Sequence, residues 1–359
     1  MHDSPSPAAS RTSRAALGAR TARSSGIGLA LVSALAFGGS GTAAKPLISA
    51  GIAPFDMVWL RITGAALVLL PIAVRHRRAV RQRPWLLLGF GLTGVAGVQA
   101  CYFSAISRIP IGVAMLLEYL APPLILGYIR FVQRRPVSRA AALGALLAVV
   151  GLAFVVEIWS GLGGLSPVGM LLGIGAACCQ IGYFMISDAG GGAPGGSDRP
   201  SSREPVEPLA VTAWGLVVGA LVMTVLARPW GLPWQVLGHQ VAMNGHQVPA
   251  ALLLAWVVLV ATVLAYLTGI TSVRLLSPAV AGVVACLEAV VAAVAAWVLL
   301  GERLSGSQVF GGALVLFGAF VAQTAGSGGR RSGEPGPPAL DVLPGAGEAA
   351  LVAEPDPRG

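Results

Sequence analysis

Ten apolar stretches follow one another along this chain of 359 residues. They run approximately over residues 26–49, 54–74, 85–106, 111–131, 139–157, 168–187, 209–227, 249–270, 278–300 and 307–325. A helix needs about 20 mostly apolar residues to cross the hydrocarbon core of a bilayer. A soluble helical core can hide one or two such runs, but ten in succession need lipid as their solvent. The expected fold is therefore an all-α membrane protein with ten transmembrane helices. Charge usage agrees: 11% of the residues are charged, against roughly a quarter in soluble domains.

The net charge of +9 would suit a nucleic-acid partner, but its placement argues against one. Among 24 basic residues Lys45 is the only lysine, and the arginines sit mostly in short gaps between apolar runs. The gap after the second run holds Arg75, Arg77, Arg78, Arg81 and Arg83. The gap after the fourth holds Arg134 and Arg135, with Arg139 beside them; Arg199, Arg203, Arg274, Arg330 and Arg331 fall on the same side. The opposite side keeps Arg108, Arg228 and Arg303, with Lys45 and Arg61 near the ends of their runs. The positive-inside rule then predicts that both termini are cytoplasmic, and the Arg-over-Lys bias with much Ala and Gly suggests a bacterial source, so the expected location is a bacterial inner membrane. The first apolar run follows a basic segment, as in a signal peptide, but it is too long for a signal's apolar region and reads as a retained span.

Residues 1–25 read as a basic, disordered tail and residues 326–359 as a Gly/Pro-rich disordered one. Residues 188–208 read as a flexible Gly/Pro/Ser linker. The loop over 228–248 carries Trp230 and Trp234, which suit an interfacial position.

The two halves repeat. The first contains Tyr102, then Gly112-Val113, four residues and Glu118, and ends in a Gly-rich run; the second contains Tyr266, then Gly282-Val283, four residues and Glu288, and ends in another. Five spans per half is an odd number, so the halves enter the membrane from opposite sides as inverted repeats, over residues 26–157 and 158–325.

The chain resembles the EamA family of the drug/metabolite transporter superfamily over about residues 26 to 325. The resemblance is carried by Lys45-Pro46 closing the first span, Leu60-Arg61 early in the second and Gly301-Glu302-Arg303-Leu304 after the ninth. The segments GVAMLLEYLAPPL and Tyr266 to Glu288 are most similar to the threonine and homoserine exporter branch. This resemblance implies a secondary transporter that exports small metabolites, amino acids foremost, with protons as the counter-ion and the lipid bilayer as its surroundings. Multidrug efflux or carriage of other metabolites is the alternative within the superfamily.

Glu118 and Glu288 are the leading candidates for substrate or proton binding. An ionisable side chain in a span costs about 2.5–3.5 kcal/mol on insertion scales and marks a functional site by default. The structural alternative is a Glu tied to a neighbouring helix by a hydrogen bond. Pro122 and Pro123 follow Glu118 by about one turn and free backbone carbonyls beside it, or merely kink the helix. Lys45 and Arg61 are candidate partners for a carboxylate, or side chains that reach out to the interface. Gln99, Tyr102, Tyr119, Gln180 and Tyr183 either orient substrate or tie helices together. Gly169/Gly173 and Gly215/Gly219 match a close-packing pattern that leaves monomer and homodimer both open.

Enzyme motifs are absent: Ala44-Lys45-Pro46 is no P-loop ending, and neither a Gly-x-Ser-x-Gly elbow nor a His-Glu-x-x-His pair occurs. An intramembrane enzyme using His239 or His246, or a non-transporting scaffold, are the readings from other classes. No cofactor or metal is expected: the four histidines lack ligand spacing, and the four cysteines lie in apolar runs as packing residues.

Overall fold

The structure, a computed structural model, describes residues 7–132, 134, 137–160, 164–189, 207–275 and 278–327. Each of the ten apolar runs is helical. The helices are α1 (Pro7–Ser49), α2 (Pro54–Arg75), α3 (Pro84–Ile106), α4 (Ile111–Phe131), α5 (Arg139–Val155), α6 (Pro167–Ala189), α7 (Pro208–Ala227), α8 (Ala250–Ser272), α9 (Pro278–Leu300) and α10 (Gly306–Ser327).

Their starts follow from local chemistry. Pro54, Pro84, Pro167, Pro208 and Pro278 each open a helix, where a missing N–H costs nothing. Ser138 caps α5 by accepting from the Ala141 N–H. Ser305 and Gln308 form a capping box on α10: the Gln308 N–H donates to Ser305 Oγ at 3.2 Å, and the Ser305 N–H donates to Gln308 Oε1 at 3.0 Å. Ser305 and Ser307 also donate to the Glu157 carboxylate beyond the end of α5, and these bonds hold its pKa below the ordinary carboxylate value.

The molecule's outside is apolar. Leu67, Leu146, Leu171, Leu221, Val225 and Leu252 are each more than half exposed. Leaving such area in water forgoes about 25 cal/mol per Å², a penalty that vanishes in hydrocarbon. Among the described residues six helices are long and apolar enough to span a membrane: α1 from Ser25, α2, α3, α4, α7 and α8. Shorter apolar helical stretches lie over Arg139–Val155, Pro167–Gly182, Cys286–Leu300 and Gly306–Ala322. The protein is thus a helical membrane protein.

The halves interlock. Helix α1 packs on α8 and α9, while α6 packs on α3 and α4; α2 meets α8, while α7 meets α3. The pairs α2/α7, α4/α9 and α5/α10 touch one another directly. The two Gly-rich closing runs of the halves lie together in α5 and α10. A Cβ at Gly151 would sit 2.6 Å from the Gly311 carbonyl oxygen, and one at Gly318 would sit 2.5 Å from that of Gly144. The backbones therefore approach as closely as small residues permit. Two helices share an irregularity: α3 is π-helical over Phe90–Gly97 and α8 over Trp256–Leu264.

Two segments differ from expectation. Helix α1 begins at Pro7, inside the segment read as a disordered tail, because the Ala/Arg-rich stretch after Pro7 favours helix and holds no proline before Pro46. The loop over 228–248 contains a short antiparallel hairpin, Gln240–Met243 with His246–Pro249. Its turn is Asn244-Gly245, both at positive φ (46° and 81°), as a type I′ turn demands. Asn244 Nδ2 ties the hairpin to the Val298 carbonyl at the end of α9. Most of the expected 188–208 linker and most of the 326–359 tail lie outside the described residues.

Candidate functional site

Five helices converge on a small cavity at the centre of the bundle. Its walls are Phe37 and Ser40 from α1, Arg61 from α2, Val98, Gln99 and Tyr102 from α3, Met115 and Glu118 from α4, and Glu288 from α9. The void measures about 20 Å³, room for roughly a single water.

Arg61 is held in place from three sides. Its Nε donates to Thr262 Oγ1 at 2.8 Å, Nη1 to Gln99 Oε1 at 2.6 Å and Nη2 to the Ala261 carbonyl at 3.2 Å. The guanidinium also lies 5.3 Å from the Phe103 ring centroid. Both α8 acceptors belong to its π-helical segment, where Thr262 Oγ1 donates to the Val257 carbonyl five residues back. The wide turn thereby leaves the Ala261 carbonyl within reach of a side chain. The interfacial alternative for Arg61 is overturned: at 2% exposure the side chain is sealed in the bundle.

The two acids enter differently. Glu118 is the last residue of the first segment of α4, which stops there, turns at Tyr119-Leu120 and resumes at Ala121. The break lies where Pro122 and Pro123 forbid continuous helix bonding. Glu118 accepts no hydrogen bond from the described residues, and the negative end of the helix dipole points at it, a favourable place for a cation. Glu288 is 6% exposed, in mid-α9 across the cavity, and engages a protein partner.

Tyr102 lines the cavity against Gly41 of α1. A Cβ at Gly41 would fall 2.7 Å from Tyr102 Oη and 3.2 Å from Ile111 Cγ2. Gly41→Ala should therefore displace the Tyr102 ring and cost about 1–3 kcal/mol. Adding Tyr102→Phe, which removes the hydroxyl, should recover most of the lost thermal stability of the detergent-purified protein. No recovery would show that the helix contact, and not this hydroxyl, sets the need for glycine.

Other expected residues fall outside the cavity. Lys45 is committed to Glu302: Nζ lies 2.5 Å from Glu302 Oε1 and donates to the Ile109 carbonyl at 3.2 Å. Glu302 Oε2 accepts the Ile111 N–H at 2.9 Å, at the first turn of α4. One carboxylate thus ties α1, α4 and the α9–α10 connection at a single end of the bundle. Glu302 stands in the Gly-Glu-Arg-Leu motif, but nothing in its local sequence names Lys45 as its partner. Tyr119 is buried in the α4 turn and Gln180 is buried in α6, neither lining the cavity. The side chain of Tyr183 lies outside the described residues. At the opposite end His76 Nε2 meets Glu207 Oε2 at 2.7 Å, linking α2 to the start of α7. Sequence reasoning missed Phe37, Ser40, Val98 and Met115 as lining groups, since each is an ordinary residue of an apolar run.

Comparison with known proteins gives this geometry a context. The threonine/homoserine exporter RhtA of Escherichia coli K12 is 25% identical over 298 residues, covering 83% of this chain and 89% of the relative. RhtA of Salmonella typhimurium SL1344 is 26% identical over 251 residues, covering 70% of this chain and 75% of the relative. The aromatic amino acid exporter YddG of Ancylobacter novellus is 29% identical over 182 residues, half of this chain and 58% of its own. A solved crystal structure shares the fold, with a TM-score of 0.53 at 22% identity, over 84% of this chain and 97% of that one. The EamA-like transporter family matches residues 24–157 and again residues 168–324, which together take in every cavity residue. With two matches that cover most of its length, this chain belongs to the EamA-like transporter family and is a transporter, not an enzyme.

Proposed function

We propose that this protein exports small amino acids, with threonine and homoserine as the first substrates to test, by alternating access coupled to proton antiport. The observation that carries the reading is one small cavity lined by a buried Arg and two Glu. A zwitterion presents a carboxylate and an ammonium group a few bonds apart. Arg61 suits the first through its planar, fixed charge, and Glu118 and Glu288 suit the second. In the absence of substrate the same acids suit protons, which gives a simple exchange: an ammonium group and a proton compete for one carboxylate. No nucleotide-binding motif is present in the sequence, so a gradient supplies the driving force.

The proposed architecture is ten transmembrane helices in two inverted five-helix repeats, residues 26–157 and 158–325. The main helix contacts support it, because exchanging α1–α5 with α6–α10 turns α1/α8, α1/α9 and α2/α8 into α6/α3, α6/α4 and α7/α3, and keeps α2/α7, α4/α9 and α5/α10. The paired π-helical segments in α3 and α8 support it too. In this reading the Lys45–Glu302 pair bars one end of the cavity and opens as the halves exchange conformations. The His76–Glu207 contact stands at the other end. The arginine cluster Arg75–Arg83 lies at the His76 end, which supports a cytoplasmic location for that end and for both termini, in a bacterial inner membrane.

The test is efflux of preloaded labelled threonine and homoserine from cells carrying the protein or an empty vector, with phenylalanine alongside. Faster efflux of the small hydroxylated amino acids supports the proposal. Efflux of phenylalanine alone moves the substrate to the aromatic class, and no difference from vector for any of the three rejects amino-acid export.

A further inference from the structure

A second, larger recess opens on the side of the bundle between α4, α9 and α10. Its volume is about 740 Å³, within the range of built ligand sites. Neither Glu118 nor Glu288 lines it, so it is separate from the central cavity. Its floor and walls are apolar, among them Leu116, Val290, Val294, Ala313 and Leu316. From Val290 to Trp297 the groove follows α9 through roughly 10 Å of helix rise, most of one leaflet of a hydrocarbon core about 30 Å thick.

The polar groups all sit at one end. Trp297, 58% exposed, stands at the mouth, where an indole favours the interface. Beside it are Glu302, Arg303 and Gln308. The Glu302 charge is already matched by Lys45, and Gln308 is occupied in capping α10. Arg303 makes no ion pair or hydrogen bond among the described residues, so a positive charge is left over at the head of an apolar groove.

We propose that this groove binds one acidic phospholipid, with its phosphate on Arg303 and an acyl chain along α9 and α10. The match is one of charge and of form. A fixed cation lies at interface depth above a channel that runs toward the membrane centre, and an anionic headgroup with its tail has the same layout. The lipid would lie against the face of α9 that carries Ala289 and Val290, next to Glu288 in the chain, and its headgroup would border the Lys45–Glu302 pair. The proposal stands independently of which solute the central cavity carries.

The test is native mass spectrometry of the full chain in mild detergent, titrated with dioleoyl phosphatidylglycerol, dioleoyl phosphatidylcholine or inorganic phosphate. Wild type should hold one phosphatidylglycerol at least about fivefold more tightly than phosphatidylcholine, the scale of one charge-assisted contact. Arg303→Gln should lower phosphatidylglycerol binding to the phosphatidylcholine level. Ala313→Trp, which fills the groove from an exposed position, should weaken both lipids. Inorganic phosphate should not displace the bound lipid. Equal binding of the two lipids by wild type overturns the proposal, as does an Arg303→Gln protein that binds like wild type. Displacement by inorganic phosphate would overturn it in favour of a free-anion site, and a dimer abolished by Ala313→Trp would overturn it in favour of a second copy of the chain. Should Ala313→Trp fail to fold, Arg303→Gln decides alone, since it alters an exposed side chain that has no partner among the described residues.

Discussion

Glu118→Gln is expected to reduce substrate efflux by about tenfold to a hundredfold while leaving the protein's abundance in the membrane unchanged. The range corresponds to losing one hydrogen bond to a charged group, roughly 1.5–3 kcal/mol. Glutamine keeps the shape of the side chain but holds neither an ammonium partner's counter-charge nor a transferable proton. Stability should be largely spared because Glu118 accepts no hydrogen bond from the described residues, so none is broken. Glu288→Gln should lose transport as well, with a fall in thermal stability besides, because Glu288 is buried and engages a protein partner. Efflux measured against pH at matched membrane abundance separates the two. Wild-type rates from both single variants and the double variant, across pH, would remove the carboxylates from the mechanism.

Arg61→Met should be the most destabilising single change in the site. It removes donors to Thr262 Oγ1, Gln99 Oε1 and the Ala261 carbonyl together, and strips the cavity of its cation while both acids remain. Breaking a buried charge network from one side costs roughly 3–5 kcal/mol. Arg61→Lys keeps the charge, but an ammonium group is a point donor and cannot reach three acceptors spread around a planar fork. It should therefore fall between wild type and Met in thermal midpoint and still lack transport. A wild-type midpoint for Arg61→Met would mean that the three bonds contribute nothing net, leaving Arg61 only a substrate-facing role.

Much of the fold was readable from local chemistry. Proline at the first turn and Ser-x-x-Gln before α10 mark helix starts because the orphan N–H groups there have only a few neighbours in sequence to satisfy them. The hairpin has a local signal as well: Asn244-Gly245 is the dipeptide that a type I′ turn favours. Pro122 and Pro123 located the break in α4 for the same reason, since ring sterics act within one turn. The pairing of Glu118 with Glu288 came from the repeat itself.

The partnerships were not local. Lys45 with Glu302, and Arg61 with Thr262 and Gln99, join residues between 38 and 257 positions apart along the chain. Arg61 and Gln180 look alike in sequence, each a polar residue in an apolar run, yet Arg61 faces the cavity and Gln180 does not. In water an amphipathic stripe would tell them apart. In a bilayer the lipid-facing side of a helix is as apolar as the side packed on its neighbours, so periodicity carries little signal about which way a side chain points. Local sequence was therefore enough for which apolar runs are helices, for the break in α4 and for the likeness of the segments around Glu118 and Glu288, but not for the start of α1 at Pro7. How each helix is turned about its axis, and with it which charges meet, depends on packing between distant segments.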